Sequence, residues 1–311
     1  MYKSIAIVLA AIVVSLSAVA CGSETTTGSV QAVTFTDATH GWAVGASGTI
    51  LATTDGGATW RKQTSGTTAS LNAVTFTDAT HGWVVGYNGT ILATTDGGAT
   101  WSEQTSGTTA SLSAATFADA THGWAVGYNG TILATTDGGA TWSEQRSGSS
   151  DYLSAVTFAD ATHGWAVGFG GTILATTDGG ATWSKQSSGG SDYLSAVTFT
   201  DATHVWVVGD NGTILATTDG GAPWRKQTSG TTASLNAVTF TDATHGWVVG
   251  DNGTILATTD GGATWSAQDS GHTAVGTRAD LYAVAFIDAT HCWAVGTDGT
   301  ILATTSGGAT R

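Results

Sequence analysis

Histidine recurs at His40, His81, His122, His163, His204, His245 and His291, a step of 41 residues taken five times and then one of 46. A period near 40 residues means that one structural unit is copied, and the fold is set by what that unit does beside its copies. Seven copies start near Val30, Leu71, Leu112, Leu153, Leu194, Leu235 and Leu281, and the extra five residues fall between Gly271 and Asp280. Their common text is close to LNAVTFTDATHGWVVGYNGTILATTDGGATWSEQTSGTTAS.

Within the second copy there is no helical period. Short β-branched and aromatic runs alternate with turn residues, as strands do. Four strands are expected, at Leu71 to Thr77, Trp83 to Tyr87, Thr90 to Thr95 and Thr100 to Thr105. Asn88-Gly89 is the favoured two-residue hairpin turn, and Asp96-Gly97-Gly98 is read as the next hairpin. A four-stranded antiparallel meander repeated seven times predicts an all-β chain, a seven-bladed β-propeller over residues 30–311.

Composition excludes several classes. Only 10% of residues are charged, and 23 acidic groups against 9 basic ones give a net charge of −14, so a nucleic-acid binder is ruled out. Two Cys exclude a disulfide scaffold, while 13 Trp argue against disorder. The first 20 residues read as a signal peptide, with Lys3 before the apolar run Ile5 to Leu16. Ser17-Ala18-Val19-Ala20-Cys21-Gly22 resembles a bacterial lipobox, which would make Cys21 a lipidation site and residues 21–29 a membrane-anchored N-terminus. An ordinary secretory signal is the alternative. Either way the chain is expected to be exported, in the first case to the periplasmic or extracellular side of a membrane.

Asp55, Asp96, Asp137, Asp178, Asp219 and Asp260 each stand five residues before a tryptophan, at Trp60, Trp101, Trp142, Trp183, Trp224 and Trp265. The motif TTDGGATW resembles the Asp-box of bacterial neuraminidase repeats, and with HGWAVGxxGTILATTDGG the chain is similar to the photosystem II assembly factor propellers. The resemblance implies a structural box: the Asp accepts backbone N–H groups across its turn and the Trp packs between strands. It also implies a scaffold that binds another protein, such as a photosystem II assembly intermediate. A cell-surface glycan-binding or adhesion propeller is the alternative, and a sialidase-like hydrolase the residual one.

No enzyme is expected, because catalysis needs an asymmetric constellation and the copies are nearly equal. The few arginines, such as Arg61, Arg146 and Arg225, fall on or after fourth strands, which are outermost. Equivalent histidines of neighbouring blades lie roughly 10 Å apart, too far to share a metal, so each is assigned to its turn, held by an Asp such as Asp78. No metal or cofactor is expected, and the chain is read as a monomer.

Following strand direction, the DATHG and Asp-box turns share one face, B, and barely vary. The other face, A, carries the second-to-third turns and the links between blades, where the copies differ: Tyr87, Tyr128 and Phe169 against Asp210 and Asp251, with Tyr152 and Tyr193 in links. Those seven residues are the candidate binding site, with neutral variation at exposed turns as the competing explanation. Residues 23–28 are expected to complete the fourth strand of the last copy and close the ring, with face B toward the membrane.

Overall fold

The computed structural model describes residues 30–37, 39–221, 223–268, 279–286, 292–297 and 301–304. Cys21, the closing segment 23–28, His291 and the insertion residues 271–278 lie outside the described residues, as does the end of the last copy from 305 onward.

The strands of the second copy run Leu71–Phe76, Gly82–Gly86, Ile91–Thr94 and Ser102–Gln104. They pair antiparallel with their sequence neighbours, and the same meander gives six four-stranded sheets and a three-stranded one among the described residues. Asn88 and Gly89 take φ of 55° and 70°, the left-handed geometry that a two-residue hairpin turn needs and that Asn and Gly tolerate. The Asp96 turn is wider than the expected hairpin. Seven residues separate Thr94 from Ser102, because the carboxylate organises a longer loop.

Among the described residues the cores lie between successive sheets, apart from a small cluster of Val30, Ala43 and Leu51 within the first copy. Trp42, Val44 and Ile50 of the first copy pack with Leu71, Val74, Phe76, Val84 and Leu92 of the second. Second strands such as Gly82–Gly86 are buried along their whole length, since one set of alternating residues faces the preceding sheet and the other the following one.

One sandwich recurs at these junctions. The phenylalanine ending a first strand stacks on the second-strand tryptophan of the preceding copy: Trp42 on Phe76 at 3.7 Å, Trp83 on Phe117 at 3.6 Å, Trp124 on Phe158 at 3.4 Å and Trp206 on Phe240 at 3.7 Å. Its other side lies on a glycine of its own copy, so closely that a Cβ on Gly123 would fall 2.3 Å from the Phe117 ring. In the fifth copy Val205 replaces that glycine. Phe199 and Trp165 still share a cluster with Val205, but among the described residues their rings do not stack.

Candidate functional site

On face A one backbone hydrogen bond recurs from the second copy onward among the described residues. The first residue of each second-to-third turn donates its N–H to the carbonyl just before the first strand: Tyr87 to Ser70, Tyr128 to Ser111, Phe169 to Tyr152, Asp210 to Tyr193 and Asp251 to Ser234, at 2.9–3.0 Å. Turn and link residues are therefore side by side at one end of these sheets. At the other end, face B, the Asp-box turn meets the first-to-second turn, as where Gly97 N–H donates to Thr80 O at 2.9 Å.

Five of the candidate residues form an arc from the turn of the second copy to the link that precedes the fifth. Tyr152 reaches back to the third copy, its ring 4.6 Å from Tyr128, and lies 6.3 Å from Tyr193 and nearly parallel to it, at 10°. Tyr87, Tyr128 and Phe169 are 50%, 51% and 61% exposed and form its outer surface. Tyr152 and Tyr193 are the half-buried floor. Burial holds both hydroxyls protonated beyond the usual tyrosine range.

The floor exists because first strands bulge at their second residue. Leu112 pairs with Gly127 and Ala114 with Val126, which leaves Ser113 as the extra residue; Ser154 is the equivalent in the next copy. A bulge re-aims the side chain of its extra residue. Here it sends the side chain toward the next copy, where Ser154 Oγ donates to Leu194 O at 2.6 Å. The second and sixth copies carry Asn72 and Asn236 at this bulge, and Asn72 Nδ2 donates to Leu112 O at 2.8 Å.

Most face A carboxylates are already occupied. Asp151 Oδ2 accepts from Thr172 Oγ1 at 2.6 Å and from Ser149 Oγ at 3.0 Å, with Lys185 Nζ 3.9 Å away. Asp192 accepts from Asn211 Nδ2 at 2.9 Å and Thr213 Oγ1 at 2.8 Å. These bonds hold both groups below the ordinary carboxylate range. Asp251 accepts from Asn236 Nδ2 at 2.8 Å. Asp210 differs: among the described residues its carboxylate has no hydrogen bond or ion pair, and its charge acts on the neighbouring Tyr193. Sequence grouped Asp210 with Asp251. The bulge that offers Ser195 rather than an asparagine in the fifth copy is the signal that separates them.

On face B the turn carboxylates are satisfied locally, while the buried Oγ1 atoms of Thr36, Thr77, Thr200 and Thr241 have no hydrogen-bond partner among the described residues. In the first-to-second turn, Asp78 Oδ1 accepts from Thr80 N at 2.7 Å and His81 N at 2.9 Å, while Oδ2 holds His81 Nδ1 at 2.9 Å. Among the described residues, no group of three or more His, Cys, Asp or Glu is placed to hold a metal. In the box, Asp96 accepts from Thr100 N, Thr100 Oγ1 and Thr94 Oγ1 at 2.9, 2.7 and 2.8 Å. The fifth box departs from this, since Pro223 has no N–H to give and Asp219 takes Gly221 N instead, at 3.4 Å. Three box tryptophans, Trp101, Trp183 and Trp265, donate Nε1 to a glutamine of the preceding copy, as Trp101 does to Gln63 Oε1 at 3.1 Å with its ring edge-on to Phe76, whereas the buried Nε1 of Trp142 and Trp224 has no partner among the described residues.

The Thr donors stabilise the ionised box carboxylates, holding Asp55, Asp96 and Asp260 at about 2. Because the folded value lies below the unfolded one, the stabilisation is present above about pH 4 and is lost as pH falls through the folded value. The thermal midpoint should therefore be flat from neutrality to about pH 4 and fall steeply toward pH 2. A midpoint unchanged down to pH 2 would contradict this.

The family model described as Photosynthesis system II assembly factor YCF48 matches residues 17–74, 63–115, 105–154 and 222–274. The chain belongs to this family. Among solved structures, YCF48 bound to D1 peptide is 22% identical with a TM-score of 0.73, covering 98% of this chain and 96% of that one. YCF48 from Cyanidioschyzon merolae is 23% identical with a TM-score of 0.70, covering 91% and 97%. The GH74 xyloglucanase from Xanthomonas campestris is 14% identical with a TM-score of 0.69, covering 88% of this chain and 51% of that one. At these identities the likeness is one of fold, a β-propeller. No curated protein matches the sequence.

Proposed function

We propose that this family member is an exported, lipid-anchored propeller of seven blades that binds another protein and steadies it during assembly, without catalysis of its own. The observation that carries the reading is the family match over more than half of the chain. The partner class follows from the YCF48 structure that holds a D1 peptide. Arg61 and Arg225 stand exposed on outermost fourth strands, which supports a role other than a sialidase-like one. Anchoring rests on the lipobox-like stretch ending at Cys21, and the seventh blade on the last copy, with residues 23–28 completing its outer edge.

The test uses the full-length chain expressed with its N-terminus in a bacterial host. The wild-type chain should fractionate with membranes and capture D1 peptide there, while Cys21→Ala should move it to the soluble exported fraction with capture intact. Two acyl chains give stable anchoring where one gives only reversible binding, so the shift should be nearly complete. Equal membrane association of both forms would rule out the anchor, and failure of the wild type to capture D1 peptide would rule out the partner class.

A further inference from the structure

We infer that the arc of Tyr87, Tyr128, Tyr152, Phe169 and Tyr193, ending at Asp210, is a docking site for an extended polypeptide segment bearing basic side chains. This rests on the protein-binding reading and gives its partner a chemistry.

Three observations converge. The outer rings are exposed over half or more of their surface, more than any other large apolar side chain among the described residues, whereas second-strand tryptophans such as Trp83, Trp124 and Trp165 are 1–2% exposed. The floor rings are fixed rather than loose, since Tyr152 packs between Tyr128 and Tyr193 and the backbone carbonyls of Tyr152 and Tyr193 accept from the N–H groups of Phe169 and Asp210 at 2.9 Å. Rigid aromatic surface ordered in advance binds at low entropic cost. Finally, the arc ends at Asp210, whose carboxylate is unpartnered among the described residues while Asp151, Asp192 and Asp251 are each engaged.

The occupant follows from charge. Aromatic faces carry negative quadrupole density, and an ammonium or guanidinium set over them is attracted, more so beside a free carboxylate. The chain has 23 acidic groups against 9 basic ones. In this sector Lys185 lies beside Asp151 and Lys226 acts on Asp192, and among the described residues neither forms an ion pair with Asp210. A Lys or Arg head beside Asp210, with its methylene stem on Tyr193 and apolar neighbours along Tyr152, Tyr128 and Phe169, satisfies each of these groups. A neutral sugar would use the rings but leave the carboxylate without a counter-charge.

The test is fluorescence anisotropy of the exported full-length chain with a labelled peptide of repeated Lys-Leu-Ser, its Glu-for-Lys counterpart, and xylohexaose as competitor. The Lys peptide should bind and the Glu peptide should not. Asp210→Asn should weaken binding about tenfold, and Tyr128→Ala or Phe169→Ala severalfold, with the thermal midpoint of each near wild type. Glu103→Gln makes the same charge change on an outermost strand and should leave binding within about twofold. Equal losses in Asp210→Asn and Glu103→Gln would reduce the effect to overall charge and overturn the site, as would displacement by xylohexaose with no binding of the Lys peptide. If Asp210→Asn fails to fold, the two aromatic variants decide the matter. D1-peptide capture separates the two readings: wild-type capture without any effect of the arc variants on the Lys peptide removes this inference alone. Absent capture removes the partner class and leaves the arc to be judged by the Lys peptide.

Discussion

Replacing Trp124 by alanine should cost about 3–5 kcal/mol of unfolding free energy. The side chain is 2% exposed, and its ring stacks on Phe158 of the next copy at 3.4 Å with the planes 7° apart. Its Nε1 donates to Gly179 O at 2.9 Å, so one residue ties the second strand of the third copy to both the first strand and the box turn of the fourth. The carbonyl is not orphaned on truncation, because Gln145 Nε2 also donates to it at 3.2 Å. The loss is therefore mainly of packing. In a repeat protein, stability is close to a sum of unit and interface contributions, and cutting one interface should also weaken cooperativity. Urea denaturation followed by circular dichroism should show a lower midpoint and a shallower or two-step transition. Trp60→Ala is the comparison, since Trp60 is 36% exposed and should cost about 1 kcal/mol. A Trp124→Ala cost equal to that of Trp60→Ala would mean that the inter-sheet stack is not what holds the copies together.

The strands were legible because their signals are local. Asn88-Gly89 announces its turn, and the alternation around it sets strand ends to within a residue or two: Leu71–Phe76 against an expectation of Leu71 to Thr77. The Asp-box hydrogen bonds were legible for the same reason, since Asp96 and Thr100 are four residues apart. What escaped joins residues far apart in sequence. Trp42 and Phe76 are 34 residues apart and meet only when one sheet lies on the next, and no period within a copy reports that. The bulges at Ser113 and Ser154 escaped because a bulge is a property of pairing, visible only once Leu112 faces Gly127 and Ala114 faces Val126. On face A the sequence placed the turn and link residues together at one end of the sheets but treated its acids alike. Whether a carboxylate is engaged depends on donors such as Thr172, 21 residues beyond Asp151. One trace was available within the sequence: the bulge residue is serine in both copies that precede a link tyrosine, Tyr152 or Tyr193.

Gly123→Val should destabilise the chain by about 2–4 kcal/mol without any backbone strain to blame. Gly123 needs no left-handed conformation; it is absent from the positive-φ residues, and what excludes a side chain there is the Phe117 ring, 2.3 Å from where a Cβ would stand. Interiors are close-packed, so the ring must move rather than compress. Moving it takes Phe117 off Trp83, where the rings stack at 3.6 Å and 14°, and disturbs its edge contact with Trp142 at 6.0 Å. The molecule contains the outcome already: where Val205 stands in place of this glycine, Phe199 is only partly buried and does not stack on Trp165. The fifth copy keeps the same sheet, so the substitution should lower stability without changing the fold. A double-mutant cycle makes the mechanism testable. Phe117→Ala alone should cost about 3–5 kcal/mol for the cavity, yet Gly123→Val added to it should cost almost nothing, because the ring it would strike is gone. Simple additivity of the two losses would show that Gly123 is required for some reason other than the ring resting on it.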